Sequence, residues 1–264
     1  MSEKKPVIVF CPGAWCSPDY FQLTTAILTK AEYKCLTVSL PSVGSELKQT
    51  KDTDADTAPP AVTRGGLQTD AQAVRDVVIP QLDAGHDVVL ACHSYGGVVT
   101  SEAVRGLDRA SRGPNTGAVT HLVYVAAILL DIGGKVWPEE KPPVEGQFIV
   151  EGELSWRDPN APGTELWLAG CNEEQMNLVV SSIRSHAWRC FADPVTYDGW
   201  RHIPGTYVRA KKDLMPDMIS AAPEGHKFEE IVDIDADHFA FCSNPEQVAD
   251  VIQKAAEKAV NKSA

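Results

Sequence analysis

The strongest constraint on the fold is a junction. Asp87-Val88-Val89-Leu90-Ala91 reads as a buried strand, runs straight into Cys92-His93-Ser94-Tyr95-Gly96-Gly97, and a helical pattern resumes at Val98. A strand that turns directly into a helix lifts the central side chain of the turn out of the sheet in a strained conformation, and crowding admits only small residues two positions either side. Ser94 is that central residue. Gly96 and Gly97 meet the requirement on one side, whereas Cys92 stands where glycine is usual, so the pattern is C-x-S-x-G. The competing reading is a structural turn that carries an ordinary serine.

Around this junction short apolar runs alternate with helical patterns, the sign of βα units built on a mainly parallel sheet. Strands are expected at Val7 to Phe10, Lys34 to Val38, Asp87 to Ala91, His121 to Ala127, Gly205 to Ala210 and Glu230 to Ile234. Ser17-Pro18 reads as an N-cap followed by proline at the first helical position, opening a helix to about Lys30. Further helices are expected over Thr69 to Ala84, where Pro80 should kink or shorten the helix, over Val98 to Leu107, over Glu173 to Ile183, and from Ser243-Asn244-Pro245-Glu246 to the end. Ser39 to Gly66, rich in Thr, Asp and Pro, is a loop. Between 131 and 203 the rhythm breaks and five of the six Trp gather. The expected organisation is an α/β core of 1–130 and 204–264 with a helical cap inserted at 131–203.

Composition narrows the partners. Twenty-four basic against 36 acidic side chains leave a charge of −12, with no basic block, which disfavours nucleic acid and anionic membranes. No apolar run approaches the roughly 18 residues of a membrane span, and the charged start before Pro12 is too short in apolar residues for a signal peptide. Seven cysteines without a C-x-x-C pair read as reduced, cytoplasmic usage, not as a disulfide framework or zinc site.

A serine hydroxyl attacks only when a neighbouring base takes its proton, and that base must be oriented by a carboxylate. The order expected for this architecture is Ser, acid, His. Of seven His, His238 alone follows a late strand and precedes the final helix, in D-A-D-H-F-A-F-C-S-N-P-E-Q-V-A. Asp213 follows Y-V-R-A-K-K in the corresponding loop before it, with Asp131 after V-A-A-I-L-L as the backup acid. A surface loop histidine and a solvated surface carboxylate are the ordinary alternatives. Asp235 and Asp237 lie too close to His238 in sequence to hold its far ring nitrogen without an unusual turn. His93 should point away from the site; His86, His202 and His226 lie in polar loops; His121 should be structural. His186, beside Trp188 in the insertion, either lines a pocket or packs.

Acyl transfer puts negative charge on oxygen, and two backbone N–H groups must meet it. Tyr95, directly after Ser94, should give one. Ala14, in Cys11-Pro12-Gly13-Ala14-Trp15-Cys16, should give the other, with Gly13 permitting close approach. Trp15, His186, Trp188 and Phe239 are the expected substrate-pocket residues; Trp137, Trp156, Trp167, Trp188 and Trp200 in the cap suggest an apolar or aromatic acyl or alcohol group, although packing is the more ordinary role of such tryptophans.

P-G-A-W, L-T-V-S-L-P, D-V-V-L-A-C-H-S-Y-G-G, F-A-D-P-V-T-Y-D-G-W-R-H-I-P-G-T-Y-V and D-H-F-A-F-C-S-N-P-E-Q-V-A together resemble the serine-nucleophile α/β-hydrolase family over nearly the whole chain. The resemblance is to the branch of plant methyl esterases, hydroxynitrile lyases and microbial relatives. It implies Ser94 as nucleophile, His238 as base, Asp213 as acid, and the N–H groups of Ala14 and Tyr95 as oxyanion hole. The 131–203 insertion resembles the helical cap of that family. Pro12 replaces the family's His, Cys92 replaces its Gly, and the stretch from Asp213 to Pro216 is one residue shorter.

Cleavage of a small-molecule carboxylic ester or lactone, without cofactor or metal, is the first expectation. Lyase or isomerase chemistry by the same Ser–His pair is the second, although the lyases carry Lys directly after the His and Phe239 stands there. A receptor that keeps the triad and hydrolyses slowly or not at all is the third. A homodimer is left open.

Overall fold

The computed structural model describes residues 4–44, 65–137, 148–151, 154–157, 168, 170–213 and 228–263. Six strands form one sheet: β1 (Val7–Cys11), β2 (Cys35–Thr37), β3 (Val88–His93), β4 (Val119–Val125), β8 (Gly205–Ala210) and β9 (Glu230–Ile234), ordered β2-β1-β3-β4-β8-β9 with every pairing parallel. Alternate residues serve opposite faces. Val7, Val9, Val88, Leu90 and Tyr124 join one buried layer, and Ile8, Phe10, Val89, Ala91 and Val123 join the other. A parallel sheet covered on both sides reads as a continuous apolar run in its central strands.

The first layer is closed by α2 (Leu67–Asp83), through Val74, Val78 and Leu82, and by α3 (Gly96–Ala103). The second is closed by α1 (Gln22–Lys30) and by the C-terminal helix α7 (Pro245–Ser263), whose Val248, Ile252, Ala255 and Ala259 recur at helical spacing. Short helices α4 (Arg109–Arg112) and α6 (Ala240–Ser243) complete the core.

Pro80 does not stop α2, since the helix continues to Asp83. Proline removes one N–H three residues before the helix end, and burial of Val78 and Leu82 either side holds the last turn in place.

Within 131–203 the described residues hold one α-helix, α5 (Glu173–Ser182), opened by a reciprocal Asn172–Gln175 capping box. Beside it runs an antiparallel sheet of β5 (Phe148–Glu151), β6 (Leu154–Arg157) and β7 (His186–Ala187). The insertion was expected to be a helical cap; Phe148, Ile149 and Val150 in β5 and Trp156 in β6 are β-branched or aromatic, which suits the strands found beside the one helix. Among the described residues no helix is long and apolar enough to cross a membrane.

Candidate active site

Ser94 directly follows β3 with φ at +52°, in the left-handed region that a non-glycine residue enters only under constraint. Neighbouring glycines supply the room. A Cβ added to Gly96 would stand 2.5 Å from the Pro12 carbonyl oxygen and 2.6 Å from that of Cys11, and one on Gly97 would stand 2.5 Å from the Ile128 oxygen. Cys92 is fully buried in the α2/α3 layer, where its small side chain fits in glycine's usual place.

The loop after β1 passes directly over this turn. A Cβ on Gly13 would lie 3.1 Å from Ser94 Cβ and 3.0 Å from His93 Nδ1. The amides on either side of Ala14 are committed: Gly13 N–H donates to Tyr20 Oη at 2.9 Å, and Trp15 N–H to His186 Nδ1 at 3.1 Å. Among the described residues no hydrogen-bond partner is found for the Ala14 or Tyr95 N–H.

His238 and Asp213 come together from the loops after β9 and β8. His238 Nδ1 is 2.8 Å from Asp213 Oδ2, and both side chains are buried, at 3% and 1% exposure. Asp131 is 68% exposed and bound to Arg201 at the surface, so it does not serve as the partner of His238. Asp237, fully buried, accepts from Phe239 N–H, the Ser243 hydroxyl and Gly170 N–H, which pins the loop that carries His238. Asp235 instead pairs with Lys212 on the surface.

His93, expected to point elsewhere, does point into the core, yet it reaches the same loop from below. Its Nε2 lies 2.8 Å from the His238 carbonyl oxygen, which can only accept, so Nε2 carries the ring proton. Nδ1 then accepts from the Tyr20 hydroxyl at 2.9 Å. One run of donors thus links Gly13, Tyr20, His93 and His238. Burial and the neighbouring His238 push the His93 pKa down to about 3, so the ring is neutral. Position directly before Ser94 was the only signal of this role in the sequence.

The expected pocket residues separate into two groups. Trp15 stacks on Phe148, with Trp137, Phe191 and His186 around it, and Trp188 stacks on Trp137 at 4.9 Å. Among the described residues Trp188 Nε1 is buried without a hydrogen-bond partner. Phe239 differs: it packs on Tyr20 and His93 in the layer shared with α1 and α7, on the core side of His238. Trp156 and Trp200 are buried, the latter donating Nε1–H to the Leu130 carbonyl, which is a packing role. His121 bonds Thr206, and His202 stacks on Tyr197, both away from Ser94. Trp167 and His226 lie outside the described residues.

Donor atoms of Asp70, His186 and Cys190 lie within 4.8 Å of one another, a distance that suits a cation. The hydrogen-bond polarity does not suit one. Nδ1 of His186 is taken by an N–H donor, so Nε2 must hold the proton and offers no lone pair. Burial also pushes the Cys190 thiol pKa far up, against the thiolate a metal would need.

The chain belongs to the alpha/beta hydrolase family, whose model matches residues 8–251. Alpha/beta hydrolase nvfD of Aspergillus novofumigatus is 30% identical over 263 residues, covering 97% of this chain and 98% of that protein. A methylesterase from Arabidopsis, MES16, superposes with a TM-score of 0.68 at 18% identity, over 96% of this chain and 99% of that one. A pyrethroid hydrolase from Sphingobium faniae does so with a TM-score of 0.67 at 19% identity, over 96% and 97%. At such identities the two structures speak for the fold alone.

Proposed function

We propose that this α/β-hydrolase cleaves a small-molecule carboxylic ester or lactone through an acyl-enzyme on Ser94. The observation that carries the reading is the 2.8 Å contact between His238 Nδ1 and Asp213 Oδ2, on a loop whose main chain is bonded to the residue before Ser94.

Asp213 holds the His238 ring with its proton on Nδ1, which leaves Nε2 as the base for the Ser94 hydroxyl. The serine oxygen bonds the carbonyl carbon, and the carbonyl oxygen becomes an anion received by the N–H groups of Ala14 and Tyr95. His238 passes the proton to the departing alkoxide, the C–O bond breaks, and a water activated in the same way releases the acid and restores Ser94. The aromatic group of Trp15, Trp137, Phe148, Phe191 and Trp188 supports an apolar or aromatic acyl or alcohol portion, with 131–203 as its cap. The methylesterase and pyrethroid hydrolase names of the structural neighbours agree with an ester as the bond cleaved.

A fluorophosphonate probe tests the nucleophile, and a panel of methyl esters, aryl esters and lactones tests the bond. Stoichiometric labelling of Ser94, absent in Ser94→Ala, together with turnover of one of these classes is the expected result. Failure of Ser94 to label in the folded protein would overturn the proposal in favour of a binding role.

A further inference from the structure

Trp15, which follows the Ala14 amide, and Tyr95, which bears the other, are joined by a buried chain of hydrogen bonds. It starts at the Trp15 N–H, which donates to His186 Nδ1 at 3.1 Å. His186 therefore carries its proton on Nε2, 2.7 Å from Ser42 Oγ, so the imidazole donates and the hydroxyl accepts. Ser42 passes its own proton to Asp70 Oδ2 at 2.6 Å, while its N–H donates to Asp70 Oδ1 at 3.0 Å. The Tyr95 hydroxyl donates to Asp70 Oδ2 at 2.9 Å and ends the chain. His186 Nε2–H also lies 3.2 Å from Cys190 Sγ, whose own proton goes to the Ala187 oxygen at 3.0 Å, so Ser42 is the nearer of its two acceptors. Trp15 follows Ala14, and Tyr95 supplies the second amide itself.

We propose that Asp70, Ser42 and His186 are positioning residues that hold the Ala14 and Tyr95 amides of the oxyanion hole in one common frame. The inference rests on the serine-hydrolase reading above and adds the residues that aim its anion-binding groups.

Three observations carry it. Asp70, Ser42 and His186 are each fully buried, and a buried carboxylate is tolerated only where donors converge on it, as three do here. The main chain around them is fixed as well: Arg184 N–H bonds the Trp15 oxygen at 2.7 Å, Ser17 N–H the Ser182 oxygen at 2.8 Å, and Ala187 N–H the Ser42 oxygen at 2.8 Å. Residues 182–187 thus tie the loop after β1 to the segment after β2. Trp15 itself is held at a φ of +59°, a conformation a tryptophan keeps only under such constraint.

Because one chain serves both arms, breaking it anywhere loosens both, and two breaks cost little more than one. The test uses p-nitrophenyl butyrate, a fluorophosphonate and butylboronic acid, a reversible mimic of the tetrahedral intermediate, on the full-length protein. Ser42→Ala and Tyr95→Phe should each lower kcat about 10- to 100-fold, the range for misplaced rather than deleted anion donors, with KM changed less than about threefold. The boronate inhibition constant should rise by a similar factor. The double variant should fall within about threefold of the worse single variant, not at their product. Asp70→Asn should behave alike; if it does not fold, Tyr95→Phe reads the same chain from its other end without removing a buried charge. A lowered melting temperature with kcat, boronate affinity and labelling rate all within twofold of wild type would overturn the inference and leave a merely structural network. Wild type that fails to label at all would overturn the hydrolase reading instead.

Discussion

His93 Nε2 lies 2.8 Å from the main-chain oxygen of His238, so the residue before the proposed nucleophile holds the loop of the proposed base. Tyr20 extends the same contact to Gly13 in the loop after β1. Replacing His93 by Leu removes the acceptor of the Tyr20 hydroxyl proton and one donor to the His238 carbonyl, and each lost buried partner costs about 1–3 kcal/mol. Urea unfolding should show a loss of about 2–5 kcal/mol, and kcat should fall roughly tenfold as the base loop loosens. A fully active His93→Leu protein of reduced stability would assign the residue to folding alone.

The acid is tested by a pair of substitutions. Asp213→Asn should reduce kcat on the order of 10⁴, because an amide facing His238 Nδ1 favours the tautomer with its proton on the wrong nitrogen. Asp131→Asn removes only an exposed pairing with Arg201 and should leave kcat within about twofold of wild type. The reverse order of effects, in steady-state kinetics, would count against Asp213.

The two glycines that bring the loops together should separate stability from rate. Gly96→Ala drives a Cβ against two main-chain oxygens at 2.5 and 2.6 Å that cannot move without the strand end, and should cost about 1–3 kcal/mol or more in chemical denaturation. Gly13→Ala meets His93 Nδ1 and Ser94 Cβ at 3.0 and 3.1 Å, where a few tenths of an ångström suffice. Its main effect should be on kcat, about tenfold or more, through displacement of the Ala14 amide. Equal rates for Gly13→Ala and wild type would show that this approach is not critical to the reaction.

Stability should depend on pH through three buried groups. His93 and His186 are pushed down to about 3 by burial, so below pH 6.5 the unfolded chain takes up protons that the native state refuses. Their contribution is fully present above 6.5 and is lost as pH falls towards 3. Asp70, raised to about 6 chiefly by burial, holds its proton more readily in the native state and so adds stability as pH falls from 6 towards 3.8. Two histidines outweigh one carboxylate. Between pH 6 and 4 the unfolding free energy should fall by about 1.4 kcal/mol per unit, the slope of one net proton. His186→Gln should flatten that slope, and an unchanged slope in urea titrations across this range would contradict the assignment of His186 as a buried neutral ring.

The sequence by itself determined the βα order, the strand-to-helix turn at Ser94, the late-loop position of His238 and the glycine-bearing loop after β1. These are local matters: side-chain period, turn chemistry and the crowding at a sharp turn act over a few residues, and they read directly from neighbours in the chain. The motif strings extended the reading to the family because a turn of this kind tolerates few residues. Sequence placed Asp213 ahead of Asp131 by position alone, and packing supplied the contact. Asp213 and Asp131 both follow strands in the right order, and only the layering of β8 beside β9 brings one carboxylate to His238 while the other faces solvent with Arg201. His186 could have lined a pocket, but pairing of residues 182–187 with two core segments turned it into a link between Trp15 and Ser42. Phe239 went to the core because His238 occupies the other side of its turn. The His93 to His238 and Asp70 to Tyr95 contacts join residues 145 and 25 positions apart, and no periodicity along the chain records them. Tertiary structure decided these because a buried donor must find whatever acceptor the packed layers leave opposite it.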